Sequence, residues 1–191
     1  MTWTSGYGRR ASLVAAAVAI LAGLSGQSLK AATVSVGNCI AGGTHFPTIQ
    51  AAVNGVTAGS TISVCPGNYP EQVVINKNVT LRGVESDNAF NPTLVIPSAG
   101  GFAANTPSLT SGAPIAAQIL VVSPATAVEI SYLAVDGAGN NLNTGCSDPR
   151  LIGIYFQNAS GTINYVVARN QAQNTANFGC AGSEGLAGDS R

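Results

Sequence analysis

The chain has 191 residues, only 8% of them charged, and its eight basic and eight acidic side chains cancel. Hydrophobic residues make up 46% and there are 23 glycines. So sparse and balanced a charge offers no basic patch to nucleic acid or an anionic membrane, and the abundant small and polar residues suit strands joined by tight turns better than a helical bundle.

Residues 1–31 read as an export signal. Arg9 and Arg10 precede the apolar run Leu13–Leu24, which is about the length of a signal core and too short to span a bilayer; Ala31 and Ala32 offer a cleavage point. A membrane anchor is the competing reading, but nothing extends the run. The arginine pair hints at twin-arginine export, although the residues after it match that signal poorly. Loss of Arg9, Arg10 and Lys30 leaves five basic residues against eight acidic ones. The remainder, residues 32–191, is long enough for one domain with a substantial core, expected from 32 to 180. Its expected location is secreted, periplasmic or at the cell surface, with no membrane association beyond export.

All four cysteines, Cys39, Cys65, Cys146 and Cys180, lie beyond the signal, and an even count in an exported chain suggests disulfides. Of the three possible pairings, Cys39–Cys65 with Cys146–Cys180 is favoured because each pair brackets a compact stretch. Zinc is the weaker reading: there is no close cysteine pair and His45 is the only histidine. No metal or cofactor is expected.

The informative stretch runs from Phe46 to Gly83. Ile49, Ala52, Val53 and Val56 form one apolar helical stripe, with Thr48 as N-cap and Pro47 holding Phe46 outside the helix. Thr57–Ser60 ends it. Thr61–Val64, Gln72–Ile75 and Asn78–Leu81 read as short strands separated by Pro66-Gly67-Asn68 and Asn76-Lys77-Asn78. A helix too short to stand alone must lie across something, here the open end of a stack of strands.

Three pieces of this stretch carry a resemblance. Phe46, Thr48–Gln50, Ala52 and Val53 form an F-x-T-I-Q-x-A-V helix. Pro66, Gly67, Tyr69, Glu71 and Val73 form a P-G-x-Y-x-E-x-V turn. Asn78–Leu81 and Gly83 form an N-V-T-L-x-G strand. Together they resemble the N-terminal part of right-handed parallel β-helix proteins of the pectin lyase-like type, in which pectin methylesterases and many secreted proteins of no known activity begin in the same way. The resemblance implies an all-β, right-handed parallel β-helix, a solenoid, with a short N-terminal capping helix. It says little about any reaction. Glu71, in the family's turn, is expected to fix local structure.

Glu85–Gly112 is rich in loop residues, with Thr93–Ile96 as its one strand; Gly100–Pro114 reads as an excursion of the kind that often forms a binding face. A weak repeat follows. Ala116–Gly137 and Leu151–Asn170 align at an offset of 33, which pairs Ile130 with Ile163, Tyr132 with Tyr165, Ile119 with Ile152 and Val121 with Ile154. Each unit is strand, turn, strand, and stacked coils would bury what a single unit cannot. A β-sandwich with similar strands is the alternative. The Gly- and Asn-rich stretch from Ala138 to Arg150 is expected as one long loop. Gln171–Asn177 is polar, and residues 181–191 read as a disordered tail or a truncation point. With no visible cap, an open C-terminal edge that can self-associate is expected, as is a longer β-helix continuing beyond Arg191.

No catalytic residue is expected. The "Q-D-T-L" and "D-F-I-F-G" strands of pectin methylesterases are absent, so none of that family's catalytic residues carries over. Asp136 and Arg169 occupy equivalent repeat positions and are expected to pair as surface ions. Glu85 and Asp87 are expected to be solvated. His45, which any Ser-His-Asp triad would need, reads as a loop residue. Asn78-Val79-Thr80 and Asn158-Ala159-Ser160 fit the glycosylation sequon. Tyr132, Tyr155, Phe156 and Tyr165 are expected chiefly as coil packing, with sugar stacking as the functional alternative. Two functions therefore stand: a non-catalytic protein binding or scaffolding at polysaccharide or the cell surface, or the N-terminal part of a carbohydrate-active enzyme whose catalytic coils lie elsewhere.

Overall fold

The computed structural model describes residues 30–85, 92–142, 148–171 and 184–189. The expected signal peptide, apart from its last two residues, and the expected Cys146–Cys180 disulfide lie outside them. Among these residues the chain is mostly β-strand with one short helix. Its elements in order are β1 (Thr33–Val36), β2 (His45–Phe46), α1 (Ile49–Gly55), β3 (Ser60–Val64), β4 (Gly67–Tyr69), β5 (Val73–Ile75), β6 (Val79–Gly83), β7 (Pro92–Leu94), β8 (Thr106–Pro107), β9 (Pro114–Val122), β10 (Val128–Asp136), β11 (Arg150–Gln157), β12 (Gly161–Arg169) and β13 (Glu184–Asp189).

Two sheets form, and all but one of their strand pairs are parallel. The first has the order β2-β1-β3-β6-β10-β7-β4, with β12 also on β10; the second runs β13-β11-β9-β5, with β8 antiparallel on β9. The pairings fall into three rows, visited in turn. In one row Thr33, Thr61, Thr80, Glu129 and Thr162 are successive partners. In the next, Tyr69, Leu94, Val135 and Ala168 follow one another. In the third, Ile75, Val121, Phe156 and Gly188 do so.

Period-two alternation explains the shared core. In β3 and β6 every second residue is buried, and Ile62, Val64, Leu81, Ile130, Leu133 and Val135 of the first sheet meet Val73, Ile75, Ile119, Val121 and Ile154 of the second, all with no exposed surface. β10 and β12 each serve two rows, and they bend where Tyr132 and Tyr165 take φ of 57° and 52°.

Helix α1 buries the expected stripe, Ile49, Ala52, Val53 and Val56, against β1, β2, β3 and β5. Thr48 caps it through Oγ1, which accepts from the Ala51 amide. Glu71 accepts from the Ile49 and Gln50 amides with one carboxylate oxygen each. Gln50 pairs with both backbone groups of Val74, standing in for a strand beside β5. Lys77 Nζ donates to the Val56 carbonyl at the helix C-terminus, where a cation is favoured. Cys39 and Cys65 form the expected disulfide, tying the loop after β1 to the end of β3.

Three expectations change. The stretch from Gly100 to Pro114 folds back onto the second sheet instead of projecting: Phe102 is buried, β8 pairs with β9, Asn105 bonds both backbone groups of Ala117, and Gln72 bonds both of Ala103. Its polar side chains find backbone partners there, and Phe102 has an apolar seat with Ala116, Leu142 and Leu151. Second, Ile154, not Ile152, lies opposite Ile119, and Phe156 lies opposite Val121. The turn after β11 (158–160) is two residues shorter than that after β9 (123–127), so the repeat of 33 holds on β10 and β12 but not on the second sheet. Third, the expected tail contains β13, which adds to β11; a parallel ladder needs backbone groups more than large side chains.

Candidate functional site

The two sheets differ on their outer faces. On the second, Ile115, Ala117, Leu120, Ile152 and Tyr155 form an apolar cluster that is already buried. On the first, the outward positions of β3, β6 and the leading halves of β10 and β12 are polar, and four of them are exposed. Alternation places Thr61, Thr80, Glu129 and Thr162 in one column across the strands and Ser63, Arg82, Ser131 and Asn164 in the next. Glu129, Arg82, Thr162 and Asn164 are exposed. Thr80, Glu129 and Thr162, with Thr126 and Ser160 of the preceding turns, line a shallow groove of about 500 Å³.

Beside these columns stands a stack of three side chains. The Tyr132 and Tyr165 rings lie 4.8 Å apart at an angle of 18°. The Arg82 guanidinium covers Tyr132 at 4.7 Å from the ring centroid. Tyr165 ends the stack and is 67% exposed. The left-handed backbone at both tyrosines places the rings here, since it interrupts the alternation at the bend; for a bulky side chain this conformation is an outlier. Gly83 holds the corresponding place on β6, where a Cβ would run into the Tyr132 carbonyl oxygen. Between Arg82 and Asn164 in the second column, Ser131 is 1% exposed, and its Oγ is buried without a hydrogen-bond partner.

The four aromatic candidates therefore separate. Tyr155 is buried in the covered cluster, and Phe156 lies against the main core. Only Tyr132 and Tyr165 present rings to the open face. Their recurrence at the repeat spacing is visible in sequence; the stacking and the Arg82 partner are not.

Two other groupings bring ionisable or nucleophilic side chains together. Asp136 and Arg169 form the expected ion pair at 2.8 Å. Burial pushes the Asp136 carboxyl upward, but hydrogen bonds from Asn170, the Ala138 amide and Arg169, with the charge of Arg169, outweigh it and hold the carboxyl below its ordinary range. This pair closes the end of two paired strands, and both oxygens of the Asp136 carboxylate accept hydrogen bonds. His45 lies in β2 directly opposite Ser35, whose Oγ is 2.6 Å from Nδ1, with the Gly37 carbonyl near both. Sequence reasoning missed Ser35. It is only 3% exposed and bonded back to Gly37, so the pair fastens the loop of the disulfide and leaves no open nucleophile. Glu71, with both oxygens on α1, is structural too. Behind it, burial, with the charge of Glu71, pushes the Tyr69 hydroxyl upward, and that hydroxyl donates to the Cys65 carbonyl.

Among the described residues no group of His, Cys, Asp and Glu is arranged to hold a metal ion, and no helix is long and apolar enough to cross a membrane. Comparison with protein-family models, curated proteins and solved structures found no match.

Proposed function

We propose that this chain is an exported right-handed parallel β-helix of the pectin lyase-like type, which binds or scaffolds polysaccharide at the cell surface without transforming it. The observation that carries the function is the Arg82–Tyr132–Tyr165 stack with its terminal ring open beside a polar groove. Exposed aromatic faces flanked by hydroxyl, amide and carboxylate groups are what sugar rings need: an apolar face to lie on and hydrogen-bond partners at the rim. The β-helix reading is supported by the three rows, by in-register parallel pairs and by α1 across one end; a right-handed path is the strongly favoured connection between parallel strands. Export is supported by the apolar segment Leu13–Leu24 and by the Cys39–Cys65 disulfide, which suits an oxidising compartment. A binding role in place of catalysis is supported by the carboxylates themselves: Glu71 and Asp136 are committed to structure, which leaves Glu129 with no second acid among the described residues of its groove.

The test is direct. Purified exported protein is incubated with insoluble cell-wall polysaccharide, and depletion from solution and soluble products are measured together. Depletion without released oligosaccharide or ester cleavage is expected. Steady product release, lost on changing Glu129, would replace this reading with an enzymatic one.

A further inference from the structure

We propose that the outer face of the first sheet takes an uncharged glycan, lying across the strands with one sugar ring on the open face of Tyr165; this rests on the polysaccharide reading above. Four observations lead to it.

The first is charge. The two columns carry one carboxylate, Glu129, and one guanidinium, Arg82, neither in an ion pair with another side chain among the described residues, while the Asp136–Arg169 pair beyond the bend cancels within itself. The other polar groups of the two columns are Thr61, Thr80, Thr162, Ser63, Ser131 and Asn164. The face is neutral in sum, and both signs are present within it. A polyuronate, with an acid on every unit, would bring carboxylates beside Glu129, and a polycationic chain would meet Arg82; like charges placed together select against a partner. Hydroxyl groups, which both donate and accept, satisfy a carboxylate, a guanidinium and an amide alike.

The second is the ring. Tyr132 covers one face of Tyr165, and the other is left open by the described residues, with Tyr165 67% exposed. Arg82 and Tyr132 stiffen the platform from behind, so little side-chain freedom is lost on binding. The third is the backbone. Two tyrosines in the left-handed region are held at equivalent places on β10 and β12, where the sterically easy choice is Gly or Asn. Local strain retained twice, at the one place that aligns two rings, points to use of the rings. The fourth is Ser131, whose buried Oγ lacks a partner in the column that passes the stack. A buried hydroxyl is ordinarily satisfied, and a ligand or water reaching past Arg82 and Asn164 would satisfy this one.

The geometry also sets the direction. Neighbouring strands lie about 4.8 Å apart, close to the length of one hexose unit in an extended chain. A glycan running across β6, β10 and β12 would therefore meet equivalent groups at each step, in the order Thr80, Glu129, Thr162.

The experiment titrates the purified full chain, by calorimetry and by tyrosine fluorescence, with three oligosaccharide series of matched length: neutral β-glucan, polygalacturonate and chitosan. Each is run at low and high salt. Binding of the neutral series, unchanged by salt, is expected, together with a loss of roughly tenfold in affinity for Tyr165→Asn. Asn tolerates the left-handed backbone, so this variant removes the ring without straining the bend. Glu129→Gln, which removes the like charge, should narrow the gap between polygalacturonate and the neutral series; an unchanged gap would overturn the charge argument. Preference for polygalacturonate or chitosan would overturn this inference while leaving the polysaccharide reading intact. Neutral binding that Tyr165→Asn leaves unchanged would overturn the placement on this face. Binding of none of the three would overturn both.

Discussion

Glu71 fixes an element with one side chain. Its two oxygens take the amides of Ile49 and Gln50, while Thr48 takes that of Ala51, so α1 starts with its first three amides satisfied. A seven-residue helix has little stability of its own, and the carboxylate also sits where the helix dipole favours a negative charge. Glu71→Ala should cost about 1–2 kcal/mol, and Glu71→Gln, which keeps one acceptor, roughly half as much. Urea unfolding measures both; midpoints equal to that of the native chain would show that water replaces the carboxylate. Asp136 makes a different claim. Its folded carboxyl titrates below its ordinary range, so its contribution is present above the unfolded value of about pH 4 and is lost as pH falls through the folded one. Because Arg169 is 54% exposed, the pair is worth at most about 1 kcal/mol. Asp136→Asn should flatten the acid limb of the stability curve by that small amount and leave the curve above pH 5 parallel to the original; an unchanged acid limb would assign the pH dependence to other carboxylates. Of these roles, the structural task of Glu71 and the Asp136–Arg169 pair were legible in sequence. The Gln50 bridge to Val74 and the Ser35–His45 pair were not, because each depends on which strands become neighbours.

The strands themselves show how far a periodic pattern reaches. The apolar pattern located β3, β5, β6, β9, β10, β11 and β12, since each sends side chains onto a shared core. It missed β1, β2, β4, β8 and β13, which are short or carry few large side chains and exist because a neighbour offers a ladder. It also missed the slip in the second sheet. A shift of two residues preserves which side chains point inward, so Ile119 opposite Ile152 and Ile119 opposite Ile154 fit the pattern equally well. Only the unequal turns before β10 and β12 decide between them. The candidate site was half legible for the same reason: Tyr132 and Tyr165 recur at the repeat spacing, but the left-handed bend that stacks them leaves no mark on the apolar pattern. Gly83 records that bend indirectly. Any Cβ there meets the Tyr132 carbonyl oxygen, with Pro92 Cγ of β7 2.7 Å away. Gly83→Ala should force β10 away from β6, destabilise the fold by about 1–3 kcal/mol and disturb the Arg82–Tyr132 contact, which tyrosine fluorescence reads. A variant with native stability and an unchanged spectrum would show that β10 yields without cost.

At the scale of the molecule, the two ends of the first sheet are treated differently. At one end α1 lies across β1 and β3, and His45 and Phe46 extend the sheet through β2. At the other, β12 pairs with β10 along nearly its whole length and has no further strand beyond it among the described residues. Its inward side chains Ile163, Val166 and Ala168 rest on the core but stay half-exposed, whereas their partners Ile130, Leu133 and Val135 are buried. Arg169 is the only charge on the strand, and there is no proline, so β12 carries little of what usually guards an edge. In a parallel ladder a strand's amides point alternately to its two neighbours, so about half of those in β12 face outward. Hydrogen exchange should therefore show strong protection through β10 and β6, and an alternation of slow and fast amides along Gly161–Arg169. The same edge should make the purified chain associate as concentration rises. A lysine in place of Val167 would put a second charge on the C-terminal half of the edge, so Val167→Lys should lower that association in sedimentation while leaving the unfolding midpoint nearly unchanged. A monodisperse native chain at high concentration, with uniform protection through Val167, would mean that β12 is covered, and the open-edge account of this molecule would have to be abandoned.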